Sequence, residues 1–201
     1  MKSQYVRWLI AKTTAYIVAI IIKGVFLMKV ITISGKAESG KDTTAKAIKN
    51  QLSKEGHTVL ITHFADLLKF QAKQYFNWNG EKDDYGRSLL QRLGTDFVRV
   101  KNENYWVEYI VNMLKIYDSS WDYVLIPDAR FENEIELMKK NFNCVSVRID
   151  SAPFESKLSE EQKNHPSETA LDNYKFDFII HNDRTPKGLA TEVNKFLKNV
   201  R

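Results

Sequence analysis

Short apolar runs alternating with amphipathic stretches of helical length organise this chain. Val30-Ile31-Thr32-Ile33-Ser34 is a β-branched run that stops at Gly35, which predicts a buried strand ending in a turn. From Asp42 to Lys54 the apolar positions Ala45, Ile48 and Leu52 recur at helical spacing, and Gly56 closes the stretch. The same reading predicts a strand over 57–64, a helix over 66–76, a polar loop over 77–87, and helices over 88–100 and 103–117. Tyr123 to Ile126 is again strand-like and ends at Pro127-Asp128; a helix over 131–140 and strands over 144–149 and 176–180 follow. Pro186 opens a last helix with Leu189, Val193, Phe196, Leu197 and Val200 on one face. Strands alternating with helices predict an α/β fold of three layers, with a mostly parallel central sheet covered on both faces. Ligands of such sheets bind at the carboxyl ends of the strands.

Composition narrows this to one domain, residues 28–201, with an extension over 1–27. The 201 residues are 43% apolar and 27% charged, which excludes a disordered or low-complexity chain. A net charge of +5 suggests a nucleic-acid partner until its location is considered. Lys2, Arg7, Lys12 and Lys23 carry +4 in the extension, which has no Asp or Glu, so the body is +1 and no nucleic-acid partner is expected. The extension's apolar run, Tyr16 to Met28 including Lys23, is shorter than the ~20 residues of a membrane span and lacks a signal cleavage site. It reads either as sequence upstream of a start at Met28, as a membrane-surface helix or as an ordered structural helix; membrane contact is expected only if the extension is part of the protein. The single cysteine, Cys144, forms no internal disulfide and reads as a small buried hydrophobe in a strand. A cytoplasmic setting is expected.

The chemistry starts where the first strand ends. Gly35-Lys36-Ala37-Glu38-Ser39-Gly40-Lys41 fits G-x-x-x-x-G-K between a strand and a helix. Glycines let the backbone turn its N–H groups around phosphate oxygens, the helix N-terminus adds its dipole, and a lysine there reaches the terminal phosphates. The expected ligand is ATP. Where a Ser or Thr normally follows the lysine to ligate Mg²⁺, this chain has Asp42, then Thr43 and Thr44. A carboxylate is also a hard oxygen ligand, so Asp42 is the first metal candidate and Thr43 the second; Asp42 alternatively complements the helix dipole.

Ser34-Gly35-Lys36, Ser39-Gly40-Lys41-Asp42-Thr43, Phe64-Ala65-Asp66-Leu67-Leu68-Lys69, Leu90-Gln91-Arg92-Leu93-Gly94-Thr95-Asp96, Ile126-Pro127-Asp128-Ala129-Arg130-Phe131-Glu132-Asn133-Glu134 and His165-Pro166-Ser167-Glu168 occur in order. In this the chain resembles the bacteriophage deoxynucleoside monophosphate kinases from about Met28 onward. The resemblance implies a P-loop kinase fold that moves the γ-phosphoryl of ATP onto a deoxynucleoside monophosphate with Mg²⁺. Under it Lys41 stabilises transferred charge, Arg130 holds the acceptor phosphate and Asp128 holds metal-bound water. Structural roles are open for two of these: Asp128 as a cap of the helix near Phe131, Arg130 as a partner of Glu134. Asp66 and Lys69 follow the second strand, where an acceptor would lie, although Asp66 also suits an N-cap. Gln91, Arg92 and Arg87 would help enclose the acceptor, or lie on a solvated helix face. Arg148 ends a strand near a short lid formed by the polar stretch 151–169, which would close over ATP. His165 receives no proton-transfer role, because an acceptor phosphate is already a nucleophile. Among the aromatics, Trp106 is expected in the core. The rival readings are a P-loop kinase of another small phosphorylated acceptor, such as phosphomevalonate or dephospho-coenzyme A, a DNA-associated ATPase, and a nucleotide-free structural protein.

Overall fold

The computed structural model describes residues 28–81, 83–153 and 158–200; the reading of 1–27 lies outside the described residues. Strands β1 (Lys29–Ser34), β2 (Val59–Ile61), β3 (Tyr123–Ile126), β4 (Asn143–Ser151) and β5 (Phe178–Asn182) form a sheet in the order β2-β3-β1-β4-β5. Every neighbouring pair is parallel. The sheet is flanked by α1 (Lys41–Lys54), α2 (Ala65–Tyr75), α3 (Asp84–Gln91), α4 (Tyr105–Ile116), α5 (Glu132–Asn141), α6 (Glu160–Asn164), α7 (Pro166–Thr169) and α8 (Pro186–Val200).

Because side chains alternate along a strand, the central strands feed both layers. Ile31, Ile33, Leu125, Val147 and Ile149 pack with Ile48 and Leu52 of α1 and with Leu189, Val193, Phe196 and Leu197 of α8. Val30, Val124 and Ile126 pack with Val107, Ile110 and Leu114 of α4 and Ile135 and Met138 of α5. The expected face of the last helix, Val200 included, is buried throughout. Trp106 is buried in α4 and donates to the Gly94 carbonyl at 3.0 Å. Among the described residues no helix is long and apolar enough to cross a membrane.

Three elements differ from expectation. β2 has three residues, because the Asp128 carboxylate takes the N–H groups of Phe64 (2.9 Å) and Ala65 (3.0 Å) and turns the chain into α2. The loop after α2 ends early: Asp83 accepts from the Gly86 N–H at 2.7 Å and so starts α3 at Asp84. Finally, the helix expected over 88–100 is the end of α3 continued by a π-helix over Arg92–Arg99. The polar stretch 151–169 contains α6 and α7, and its residues 154–157 lie outside the described ones.

Candidate active site

The carboxyl ends of the parallel strands place four segments together: the loop after β1, the start of α2 after β2, the turn after β3, and the stretch between β4 and β5. In the first, Gly35 has φ 151°, and a Cβ there would lie 2.9 Å from the Ile149 carbonyl oxygen. Gly40 has φ 94°. Its neighbour Ser39 is held by Asn182 at the end of β5, whose Nδ2 donates to the Ser39 carbonyl at 2.9 Å. Arg184 donates to the Glu38 carbonyl at 3.2 Å. Sequence reasoning missed Asn182 and Arg184, since a polar residue ending a strand carries no motif. Ser39 Oγ is buried without a hydrogen-bond partner among the described residues. A buried hydroxyl in that condition suits a loop whose missing partner is a phosphate oxygen.

Lys41 is 7% exposed and donates to the Gly35 and Lys36 carbonyls at 2.7 and 2.6 Å. Burial, and then the nearby Arg130 charge, push its pKa down to about 7 against the pull of Glu168, Asp42 and Asp128. An anion at the loop would favour the charged ammonium. Asp42 is exposed, with Oδ1 3.0 Å from His63 Nε2. The hydrogen bonds to Asp42 and then Asp66 raise His63 to about 9. Asp66 itself is lowered to about 2: burial acts upward but is outweighed by its bonds to His63. It accepts from the His63 N–H at 2.9 Å, a bond local to the start of α2.

A cavity of about 520 Å³ opens above the loop. Of the residues singled out by sequence, Ala37, Glu38, Lys41, Asp42, Lys69, Arg87, Gln91, Asp128 and Arg130 line it. Leu68, Trp106 and Phe131 add an apolar wall. Gly35, Lys36 and Arg148 border a smaller adjoining recess, which Arg130 shares. Arg148 donates to the Leu171 carbonyl at 3.0 Å and pairs with Asp172 at 3.5 Å. Thr44 is buried and returns its hydroxyl to the Gly40 carbonyl at 3.0 Å, while Thr43 is exposed; neither lines the cavity. Asp66 and Arg92 are exposed and also lie outside its lining.

Across from the loop, Asp128 caps α2 rather than the helix near Phe131. Arg130 donates Nη1 to Glu168 Oε1 at 2.5 Å and to the Ser167 carbonyl at 3.2 Å; its backbone N–H, not its guanidinium, meets Glu134. Arg99 is a cavity residue that the sequence did not reveal. It pairs with Glu134, the two side chains being 10% and 4% exposed, and its guanidinium lies 3.9 Å from the Phe131 ring centroid. Burial pushes Glu134 up to about 7 against Arg99 and the Arg130 N–H. Seven residues separate Arg92 from Arg99, which suggests one helix face. The i→i+5 bonding of the π-helix widens the turn, so only Arg99 reaches the cavity.

A parallel sheet in this strand order, with a glycine loop and a buried lysine between β1 and α1, defines a P-loop protein of the kinase class. The chain belongs to the deoxynucleotide monophosphate kinase family, whose profile matches residues 61–193. That match begins beyond the phosphate loop, which is therefore an independent observation. The chain is 28% identical over 114 residues to the deoxynucleotide monophosphate kinase of Escherichia phage RB69, covering 56% of this chain and 44% of that protein. It thus matches less than half the length of that curated relative. A phosphomevalonate kinase of Drosophila melanogaster is 23% identical over 176 residues, covering 78% of this chain and 89% of its own. Among solved structures, a dephospho-CoA kinase from Campylobacter jejuni is 16% identical, with a TM-score of 0.48 over 86% of this chain and 98% of its own.

Proposed function

We propose that residues 28–201, acting as one domain, transfer the γ-phosphoryl of ATP to a deoxynucleoside monophosphate, giving the diphosphate and ADP. The observation that carries this reading is that Lys41 of the phosphate loop and Arg130 after β3 line one cavity. Two cations from different strands suit two phosphate groups brought end to end. Phosphoryl transfer needs this positioning and charge neutralisation more than covalent chemistry. Lys41 neutralises charge on the moving group, and Arg130 holds the acceptor phosphate, whose oxygen attacks without a general base. Lys69, Arg87 and Gln91 surround the acceptor, and Leu68, Trp106 and Phe131 offer its base an apolar wall.

Mg²⁺ would neutralise the donor phosphates when bound. Asp42 would hold it, with Thr43 as the alternative, and Asp128 would orient metal-bound water. Among the described residues no cluster of three acidic, His or Cys ligands exists. A magnesium ion in such a site would be held mainly by substrate phosphates and water, with one or two carboxylates from the protein.

The similarity to a phosphomevalonate kinase over 78% of the chain favours a second reading, a kinase of another phosphorylated acceptor. A coupled assay with ATP and Mg²⁺ separates the two, tested against each ribo- and deoxyribonucleoside monophosphate and against phosphomevalonate. ADP release that requires a deoxynucleoside monophosphate is the expected result. Release only with phosphomevalonate selects the second reading, and acceptor-independent release refutes both.

A further inference from the structure

The His165-Pro166-Ser167-Glu168 motif has no part in the function proposed above, yet its last residue holds that site together. Glu168 Oε2 accepts the backbone N–H of Ala37 in the phosphate loop at 2.9 Å. Its Oε1 accepts from Arg130 Nη1 at 2.5 Å. The Glu168 carbonyl accepts from Lys36 Nζ at 2.7 Å, and Lys36 also pairs with Asp172 at 2.5 Å. The Glu168 side chain is 8% exposed. The two oxygens of a carboxylate are rigidly spaced, so groups bonded to each cannot slide past one another. Glu168 also places a negative charge between cations that would otherwise repel, since Arg130 and Lys41 oppose each other's charge.

We propose that Glu168 is a positioning residue: its carboxylate spans Arg130 and the phosphate loop and sets the distance between the acceptor guanidinium and the donor site. The inference rests on the kinase reading above. Because Glu168 is in α7, the same carboxylate docks the C-terminal end of the 151–169 stretch onto the loop. Gln keeps the acceptor for Ala37 but turns an N–H toward Arg130, so Glu168→Gln breaks the strut at one end with little change of volume.

The test compares wild type, Glu168→Gln, Arg130→Ala and the double variant in phosphoryl transfer, with thermal unfolding and binding of a non-hydrolysable ATP analogue measured on each. Glu168→Gln is expected to lower kcat/KM for the acceptor by about 10- to 100-fold, the scale of a small misplacement of a reacting group. Its unfolding temperature and analogue affinity should stay near wild type. The double variant should be no worse than Arg130→Ala, because Glu168 acts through Arg130. Independent, multiplying losses would overturn the proposal. So would transfer at the wild-type rate, or tighter analogue binding in Glu168→Gln, which would make the carboxylate a blocking stand-in for phosphate. If Glu168→Gln does not fold, Glu168→Asp, which keeps the charge but shortens the reach, takes its place in the same comparison. If the wild type transfers phosphate to no acceptor, the kinase reading fails, and NMR of the Arg130 guanidinium decides the strut alone. Slow rotation that Glu168→Gln abolishes supports it; identical rotation in both overturns it.

Discussion

Lys41 is tethered by two carbonyls of its own loop, so truncating it removes charge from the site without opening the sheet core. Lys41→Ala is expected to reduce kcat by roughly 10²- to 10³-fold, as loss of one transition-state charge stabiliser does. The unfolding temperature should hold; near-normal turnover would contradict the role assigned to Lys41. Gly35 makes the opposite case, where backbone rather than charge is decisive. Its positive φ and the Ile149 carbonyl leave no space for a methyl group, and a carbonyl in a parallel strand cannot move aside cheaply. Gly35→Ala should cost about 1–3 kcal/mol in a denaturant titration. An unchanged midpoint would show that the loop has slack the structure does not contain. At this scale the loop was legible because glycine, glycine and lysine stand at fixed local spacing. Asn182, which holds Ser39, was not, because the contact spans 143 residues.

Elements show how one side chain shapes its neighbours. Asp128 follows β3 but caps α2, bringing Phe64 and Ala65 to the cavity's edge. Removing both acceptors in Asp128→Ala leaves two N–H groups wanting, a loss of about 1–3 kcal/mol. Asp128→Asn keeps one carbonyl acceptor, so it should unfold closer to wild type while still lowering Mg²⁺-dependent turnover. Equal stability losses in the two variants would deny the cap. Asp177 performs a similar task before β5. It accepts from the Ser146 N–H and hydroxyl, both at 2.8 Å, and pairs with Lys139 at 2.9 Å. Burial acts to raise its pKa, but the Ser146 and Lys139 bonds outweigh it and leave the group below the ordinary aspartate value. Its stabilisation is therefore complete above the unfolded pKa near 3.8 and is lost as pH falls through the lower folded value. Unfolding followed against pH should show Asp177→Asn with a shallower acid limb than wild type; parallel limbs would contradict it. Helix periodicity revealed α1, α4 and α8 but not the π-helix, because an i→i+5 turn leaves no mark in an apolar pattern. Arg99 was missed for that reason, and Arg92 was placed nearer the site than it lies.

At the scale of the whole molecule, the alternation of β-branched strands with amphipathic helices sufficed for a three-layer sheet, since each period states which face is buried. Strand order is a different matter. It depends on where crossovers land, which the apolar pattern does not record. The structure places β1 between β3 and β4, which brings the phosphate loop between the Asp128–Arg130 turn and the α7 segment. With Lys41 and Arg130 lining one cavity, the proposed function requires that donor phosphates on Lys41 and an acceptor phosphate on Arg130 face each other. An adenosine and a deoxynucleoside joined through an oligophosphate chain tests it most directly, because such a molecule can bind well only if both sites face each other. The expected Kd is at least ~10-fold below that of either half alone, with the advantage abolished in Arg130→Ala. Binding no tighter than the ATP analogue, and indifferent to Arg130, would contradict it.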